Sequence, residues 1–330
     1  MLSSLSDWLA RIFLEQYYFA TANVEVLLII PPLVALFVST FTSMGGVSGA
    51  FLLLPFQASF LNFAGPGVSP TNLVYNIVAI PSGVYRYIRE GRMNWPVAYV
   101  TILGTLPGLY FGAKIRIGWL PEKRNFLLFV GCVLLYIGGR LLYDQTGWAK
   151  RKKAKIQEFE AQVQTRLKKV LDEAGHTTGR ALPAAARVTT AAWSWKQVSY
   201  NFLGETFTFN APALFVLALV VGLIGGTYGI GGGAIIAPFL AAIFQLPVFT
   251  IAGAALFGTL VTSVAGVAIY YWQGVPPDLF LGALFGIGGF AGMYIGARLQ
   301  RFFSGTIIRI GLGAVITALA LRYIVGFWVG

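Results

Sequence analysis

The sequence has one cysteine, Cys132, and one histidine, His176, in 330 residues. A single thiol excludes an intramolecular disulfide framework and any cysteine-cluster metal site. His176 sits in a polar stretch away from the apolar runs. Histidine ligation of haem or zinc therefore lacks its key residue, as does a membrane-embedded Ser-His or Cys-His hydrolase. No cofactor, no resident metal and no enzymatic reaction is expected. Charge is scarce as well: charged residues make up 11%, against about 25% in a soluble domain. With 57% hydrophobic residues and a mean hydropathy of +0.72, the chain cannot cover a water-facing surface. The acids are absent where they would matter most. All of them, from Asp7 to Asp278, lie at segment ends or in polar stretches. That disfavours an intramembrane proton relay and a cation site built from carboxylates.

What is present in abundance is apolar sequence. Apolar segments fall at roughly 24–43, 47–63, 70–88, 95–117 and 125–143, and again at 211–227, 232–246, 249–272, 279–297 and 305–326. A full helical crossing needs about 20 residues. The last three segments of each set meet or approach that length, whereas the first two are shorter and joined by glycine-rich breaks. These breaks are Met44-Gly45-Gly46-Val47-Ser48-Gly49 and Gly225-Gly226-Thr227-Tyr228-Gly229-Ile230-Gly231-Gly232-Gly233. They read as discontinuous or re-entrant helices, whose irregular backbone must be buried in protein or line a wet cavity. Ahead of the first segment, Leu2, Leu5, Leu9, Ile12 and Phe13 recur at helical spacing. A short interfacial helix within 1–22, with Trp8 at headgroup level, is one reading, and an unstructured lead-in is the other.

The two sets match one another. A shift of 183 residues pairs Val47-Ser48-Gly49 with Ile230-Gly231-Gly232, Pro55-Phe56 with Pro238-Phe239, and Gly83 with Gly266. One residue of slip later, Gly108, Tyr110 and Gly112 fall on Gly292, Tyr294 and Gly296. The expected fold is thus an all-α polytopic membrane protein of two homologous repeats, 23–143 and 211–330, with five helical segments each. An odd number of crossings per repeat inverts the second copy. The basic loop around Arg86, Arg89 and Arg92, whose partner loop near Gly274 has no base, agrees with inversion. The loop with Lys114, Arg116, Lys123 and Arg124 argues against it.

Between the repeats, residues 144–210 form a polar insert. Its stretch 144–205 contains 11 Lys/Arg and six Asp/Glu, +5 of the chain's +12. Lys150-Arg151-Lys152-Lys153 directly follows a membrane segment, so it reads as an anchor facing anionic lipid on the cytoplasmic side rather than as a nucleic-acid surface. Ile156, Phe159, Val163 and Leu167 predict an amphipathic helix. Alternating polarity in Gln197–Phe202 and Thr206–Phe209 around Leu203-Gly204-Glu205 predicts a β-hairpin. The insert is expected to be a small cytoplasmic helix-plus-hairpin unit.

A half-helix starting at mid-membrane offers free backbone N–H groups and the positive end of its dipole to an anion. Glycines allow close approach to that backbone. The candidate substrate-binding residues are therefore Gly45, Gly46, Ser48 and Gly49 at the first break, and Tyr228, Gly229, Gly231, Gly232 and Gly233 at the second. Asn72 and Asn76, one helical turn apart, and Thr259 and Thr262 join them, with Asn72, Asn76, Tyr228 and Thr259 as expected side-chain donors. Tight helix packing is the competing explanation for any one of these glycines. Arg140 and Arg322, near the ends of the last segment of each set, are expected to snorkel to headgroups.

Gly225–Ala234, Pro238-Phe239 and Gly253-Ala254-Ala255-Leu256-Phe257-Gly258-Thr259 resemble the TauE/SafE family of sulfite and organosulfonate exporters. Gly45-Gly46-Val47-Ser48-Gly49 with Pro55, and Ser69-Pro70-Thr71-Asn72, resemble its first-half copy. The resemblance covers roughly 24–143 and 211–326. It implies a multi-pass protein of the bacterial inner membrane that moves sulfite, a sulfonate or a related small anion. Ser48 and Ala50 stand opposite Gly231 and Gly233, a departure that leaves open whether both breaks contact ligand equally. The expected partners are a small anion and the bilayer, with no nucleic acid and with a homodimer among the open oligomeric states. An anion channel and a membrane scaffold acting through the insert are the alternatives to a transporter.

Overall fold

The computed structural model describes residues 16–45, 47–152, 154–173, 182–299 and 305–329. The amphipathic run expected at Leu2–Phe13 lies outside the described residues, as do Gly46 and His176. Residues 16–27 are not helical. They form an antiparallel hairpin of β1 (Gln16–Phe19) and β2 (Val24–Leu27), so the expected first domain and first apolar segment are both corrected there. The turn rests on Asn23 at φ 53°, with its Oδ1 accepting from Tyr18 Oη at 2.7 Å. Val24 and Val26 alternate inward past exposed Glu25. That period of two was legible in the sequence but was absorbed into the apolar run that follows.

Helix α1 (Ile30–Gly45) opens on Pro31-Pro32, where missing N–H groups cost nothing. It is followed by α2 (Ala50–Ser59), α3 (Val68–Ala79), α4 (Pro81–Glu90), α5 (Trp95–Gly118) and α6 (Lys123–Tyr143). Beyond residues 144–210 come α9 (Ala211–Tyr228), α10 (Gly233–Ile243), α11 (Val248–Trp272), α12 (Leu279–Leu299) and α13 (Gly305–Val329). Six of these helices, α5, α6, α9, α11, α12 and α13, are long and apolar enough to cross a membrane. The third segment of the first set is two helices rather than one. Pro81 cannot donate to the preceding turn, so the path breaks at Ile80, whereas α11 carries Val264 at the matching position and runs unbroken.

Close-packed helix pairs use glycine ridges. Gly104, Gly108 and Gly112 of α5 face the carbonyls of Phe215, Leu219 and Leu223 of α9. Gly288, Gly292 and Gly296 of α12 meet those of Pro32, Leu36 and Thr40 of α1 in the same way. A Cβ at any of these positions would strike backbone, so the helices approach along small-residue stripes as membrane helices do. Helices α6 and α13 pack on each other, with Gly138 against Gly313 and Thr317.

The contacts define two ends of the bundle. At one, Ala22 N donates to Asp278 Oδ2 (3.3 Å), Asp278 N donates to Thr71 Oγ1 (2.8 Å), and Arg116 Nη2 donates to Ala64 O (2.7 Å). Asp278 also caps α12 by accepting from Leu281 N (2.9 Å). At the other end, helices α7 (Gly147–Lys152) and α8 (Ala154–Glu173) and a sheet of β3 (Thr189–Trp193), β4 (Gln197–Phe202) and β5 (Glu205–Asn210) dock on the helix ends. The β4–β5 hairpin turns through Leu203-Gly204, both at positive φ. β3 and the β1–β2 hairpin lie outside the expected elements, so the fold is mostly helical rather than all-α. Phe202 stacks on Phe249 at 5.3 Å, Tyr200 Oη shares a 2.8 Å hydrogen bond with Thr250 Oγ1, and Glu160 Oε1 accepts from Val248 N at 2.8 Å, at the first residue of α11.

Large apolar side chains such as Phe37, Leu103, Phe111, Val216 and Ile287 point outward along the helices. In water such a surface would be an aggregation liability; in a bilayer it is the lipid face. Exposed Trp119, Trp272 and Trp328 mark one end, and Trp148, Trp193 and Trp195 the other. Tryptophan concentrates at both interfaces of a membrane protein in this way.

Candidate functional site

Both glycine breaks lie inside the bundle. After α1 ends at Gly45, α2 restarts at Ala50; after α9 ends at Tyr228, α10 restarts at Gly233. At 1.5 Å rise per residue, ten or eleven residues span about 15 Å, half the hydrocarbon thickness. The N-cap residues Gly49 and Gly232 are buried and contribute no side-chain cap. Gly229 (φ 88°) and Gly231 (φ 73°) take the left-handed conformation that turns the chain between α9 and α10.

Helix α3 braces the second break along one face. Ser69 Oγ donates to Thr227 O (3.1 Å), Asn72 Nδ2 to Gly229 O (2.9 Å), and Asn76 Nδ2 to Ile230 O (3.0 Å). The second hydrogen of Asn72 goes to Ala50 O at 3.1 Å, so one amide touches both breaks. The second of Asn76 goes to Ser263 Oγ at 3.3 Å. Tyr228 Oη crosses to Phe51 O of α2 at 2.8 Å. Thr259 and Thr262 return their hydroxyl protons to Ala255 O and Gly258 O of their own helix.

The expected side-chain donors Asn72, Asn76, Tyr228 and Thr259 are therefore brought together, but each is committed to a protein oxygen. The physical reason is the breaks themselves. Unwound carbonyls buried away from water need donors, and these side chains supply them. What the breaks leave for a ligand is backbone N–H. Ala50 N reaches Ser48 Oγ and Gly232 N reaches Thr262 Oγ1, both at 3.3 Å. Those contacts are longer than the usual 2.7–3.2 Å and end on neutral hydroxyls, so an anionic oxygen would be the stronger acceptor.

Several partners were not singled out from sequence. Ser39 Oγ and Tyr75 Oη share a 2.9 Å hydrogen bond and lie against Gly49, where a Cβ would come within 2.5 Å of Tyr75 Oη. Gln57 Nε2 donates to Asn72 Oδ1 at 3.3 Å. Gln57 could have been found, because an amide inside an apolar half-helix needs a partner; Ser39 and Tyr75 carry no such mark. Gln57 Oε1 and Asn76 Oδ1 are buried acceptors without a partner, open to a hydrogen-bond donor. Among the described residues no cluster of His, Cys, Asp or Glu could hold a metal ion, and no carboxylate lies at either break.

A multi-pass helical membrane protein with two interior helix breaks, joined through one buried amide, is the class that this fold and site define. The sequence model for "Sulfite exporter TauE/SafE" matches residues 32–323, and the chain belongs to that family of membrane transporters. It is similar to a protein of Bacillus subtilis named "Probable membrane transporter protein YunE", at 22% identity over 84% of this chain and 88% of that protein. It is also similar to a "Probable membrane transporter protein" of Haemophilus influenzae, at 26% identity over 33% of this chain and 41% of that protein. No solved structure matches.

Proposed function

We propose that this membrane transporter is a secondary exporter of a small sulfur-containing oxyanion, such as sulfite or an organosulfonate, in the bacterial inner membrane. The two breaks form one central site, and the repeats around it open alternately to the two sides. The observation that carries this reading is that Asn72 joins Ala50 O, at the start of α2, to Gly229 O, in the turn that leads into α10, with buried glycine N-caps at both half-helices. Two dipole ends and their N–H groups suit an anion, and the break residues themselves include no carboxylate. Family membership supports the sulfur oxyanion in particular.

Inverted repeats are supported by how the elements pair. Helix α1 packs on α12 and its counterpart α9 packs on α5, while α6 packs on its own counterpart α13. The α1–α2 pair returns toward the end bearing Thr71 and Asp278, and the α9–α10 pair toward the end bearing residues 147–210. The charge on Arg116 does not oppose this arrangement, because the residue is fully buried and bonded to Ala64 O and Leu120 O rather than displayed in a loop. With Arg86, Arg89, Arg92, Arg140, Arg151 and Arg298 at the insert-bearing end, that end is cytoplasmic by the positive-inside rule.

Reconstituted protein should carry saturable sulfite or sulfonate flux. Gly231→Leu, at φ 73° where an added Cβ would come within 3.0 Å of Ser263 Oγ and Thr259 Cγ2, should abolish that flux while the protein keeps its size-exclusion profile. Undiminished flux in a folded Gly231→Leu protein contradicts the site, and flux that never saturates indicates a channel.

A further inference from the structure

A cavity of about 160 Å³ lies beside the first break, walled by Val47 and Phe51, by Arg140 of α6 and Asp144 just beyond it, and by Pro238 and Phe239 of α10. At about 30 Å³ per water, it has room for a small oxyanion with part of its hydration. Helix α6 ends at the insert-bearing face, so Asp144 marks the mouth, and Arg140 sits one turn, about 6 Å, deeper. Val47 and Phe51 lie at the inner end.

The Arg140 guanidinium is only lightly held. Its Nη1 donates to Tyr136 Oη at 3.0 Å, its Nη2 to Pro238 O at a long 3.4 Å, and its Cζ sits 5.1 Å from the Phe239 ring centroid. Both hydrogen-bond partners are neutral. A guanidinium has five N–H donors in a fork that matches two oxygens of an oxyanion. Snorkelling to headgroups does not describe this position, because the side chain is turned against α10.

We infer that this cavity is an oxyanion-capture site on the insert-side approach to the α1–α2 break, with Arg140 as its cation. The inference rests on the transport reading above and deepens it by assigning the loading step. An oxyanion of sulfonate, sulfite or phosphate type would draw Arg140 off Pro238 O, releasing α10 as it is taken up. An arginine recurs at the other end, at the matching place in α13: Arg322, with Lys123 and Arg124, lines a cavity of about 240 Å³ near the C-terminal end of α2. Gly131 and Gly313 keep the same register between α6 and α13 as Arg140 and Arg322.

The test uses full-length protein with Cys132→Ala, so that Ala237→Cys in the cavity wall is the only thiol. A water-soluble maleimide should label it from the insert side in phosphatidylcholine vesicles, and ethanesulfonate should slow that labelling at least fivefold. Arg140→Gln should remove the protection and Arg140→Lys restore part of it. Arg140→Gln should also raise KM at least tenfold for substrate presented at the insert face and not at the other. No protection, or protection indifferent to Arg140→Gln, overturns the inference. Protection given only by phosphatidylglycerol in the vesicles assigns the arginine to a lipid headgroup and overturns it as well. Sulfonate protection that depends on Arg140 in a protein without flux would instead leave the capture site standing and defeat the transport reading.

Discussion

Asn72 holds the centre of the molecule with one nitrogen. Its two N–H donors satisfy Ala50 O and Gly229 O, one from each break, in a place that excludes water. A buried polar group left unmade costs about 1–3 kcal/mol. Asn72→Leu should therefore destabilise the protein by about 2–5 kcal/mol in a detergent unfolding titration, and a loss below 0.5 kcal/mol would contradict the bracing role. Asn72 and Asn76 were legible in the sequence because amides in an apolar run demand partners. That their donors go to the breaks rather than to a ligand was not, since Gly229 O and Ile230 O lie 157 and 154 residues away along the chain. Tyr75 and Ser39 stayed hidden for a related reason: an isolated hydroxyl in an apolar helix is unremarkable until folding sets it beside Gly49.

At the scale of elements, glycine serves two distinct purposes. Some positions make the breaks; others, such as Gly108 and Gly292, let helices touch backbone to backbone. Gly108→Ala should cost about 1–3 kcal/mol through overpacking against Leu219. Gly139→Ala, which meets open space, should change stability by less than about 0.5 kcal/mol. Thermal unfolding of the two variants side by side checks the distinction, and equal effects would refute it. The matched spacing of Gly108, Gly112, Gly292 and Gly296 was visible in the sequence, as were both breaks and the β4–β5 hairpin. The β1–β2 hairpin and the α3–α4 break were not. The first rests on a period of two only four residues long, and the second on one proline whose helix end depends on local context.

For the whole molecule, α8 and β4 are coupled to the membrane helices where α10 leads into α11. Burial raises the Glu160 carboxyl above its ordinary range, against the smaller opposing effect of the Val248 N–H. Burial likewise raises the Tyr200 phenol, which stays neutral. An acid with a raised folded pKa stabilises the docked state most below its unfolded value of about 4.3. That contribution is lost as pH rises through the folded value. Hydrogen exchange across 189–210 should therefore be slower at pH 5 than at pH 8 after correction for the intrinsic rate, and Glu160→Gln should flatten the difference. Equal corrected protection at both pH values would contradict this coupling.

We propose that the two helix breaks together bind and move a small sulfur oxyanion. The measurement that bears on it most directly is uptake of labelled sulfite and ethanesulfonate into proteoliposomes holding the purified protein. Wild-type protein should give flux that saturates with concentration and is lost in folded Gly231→Leu. Flux no greater than in protein-free liposomes for every small oxyanion tried, from protein that remains folded, would contradict the account.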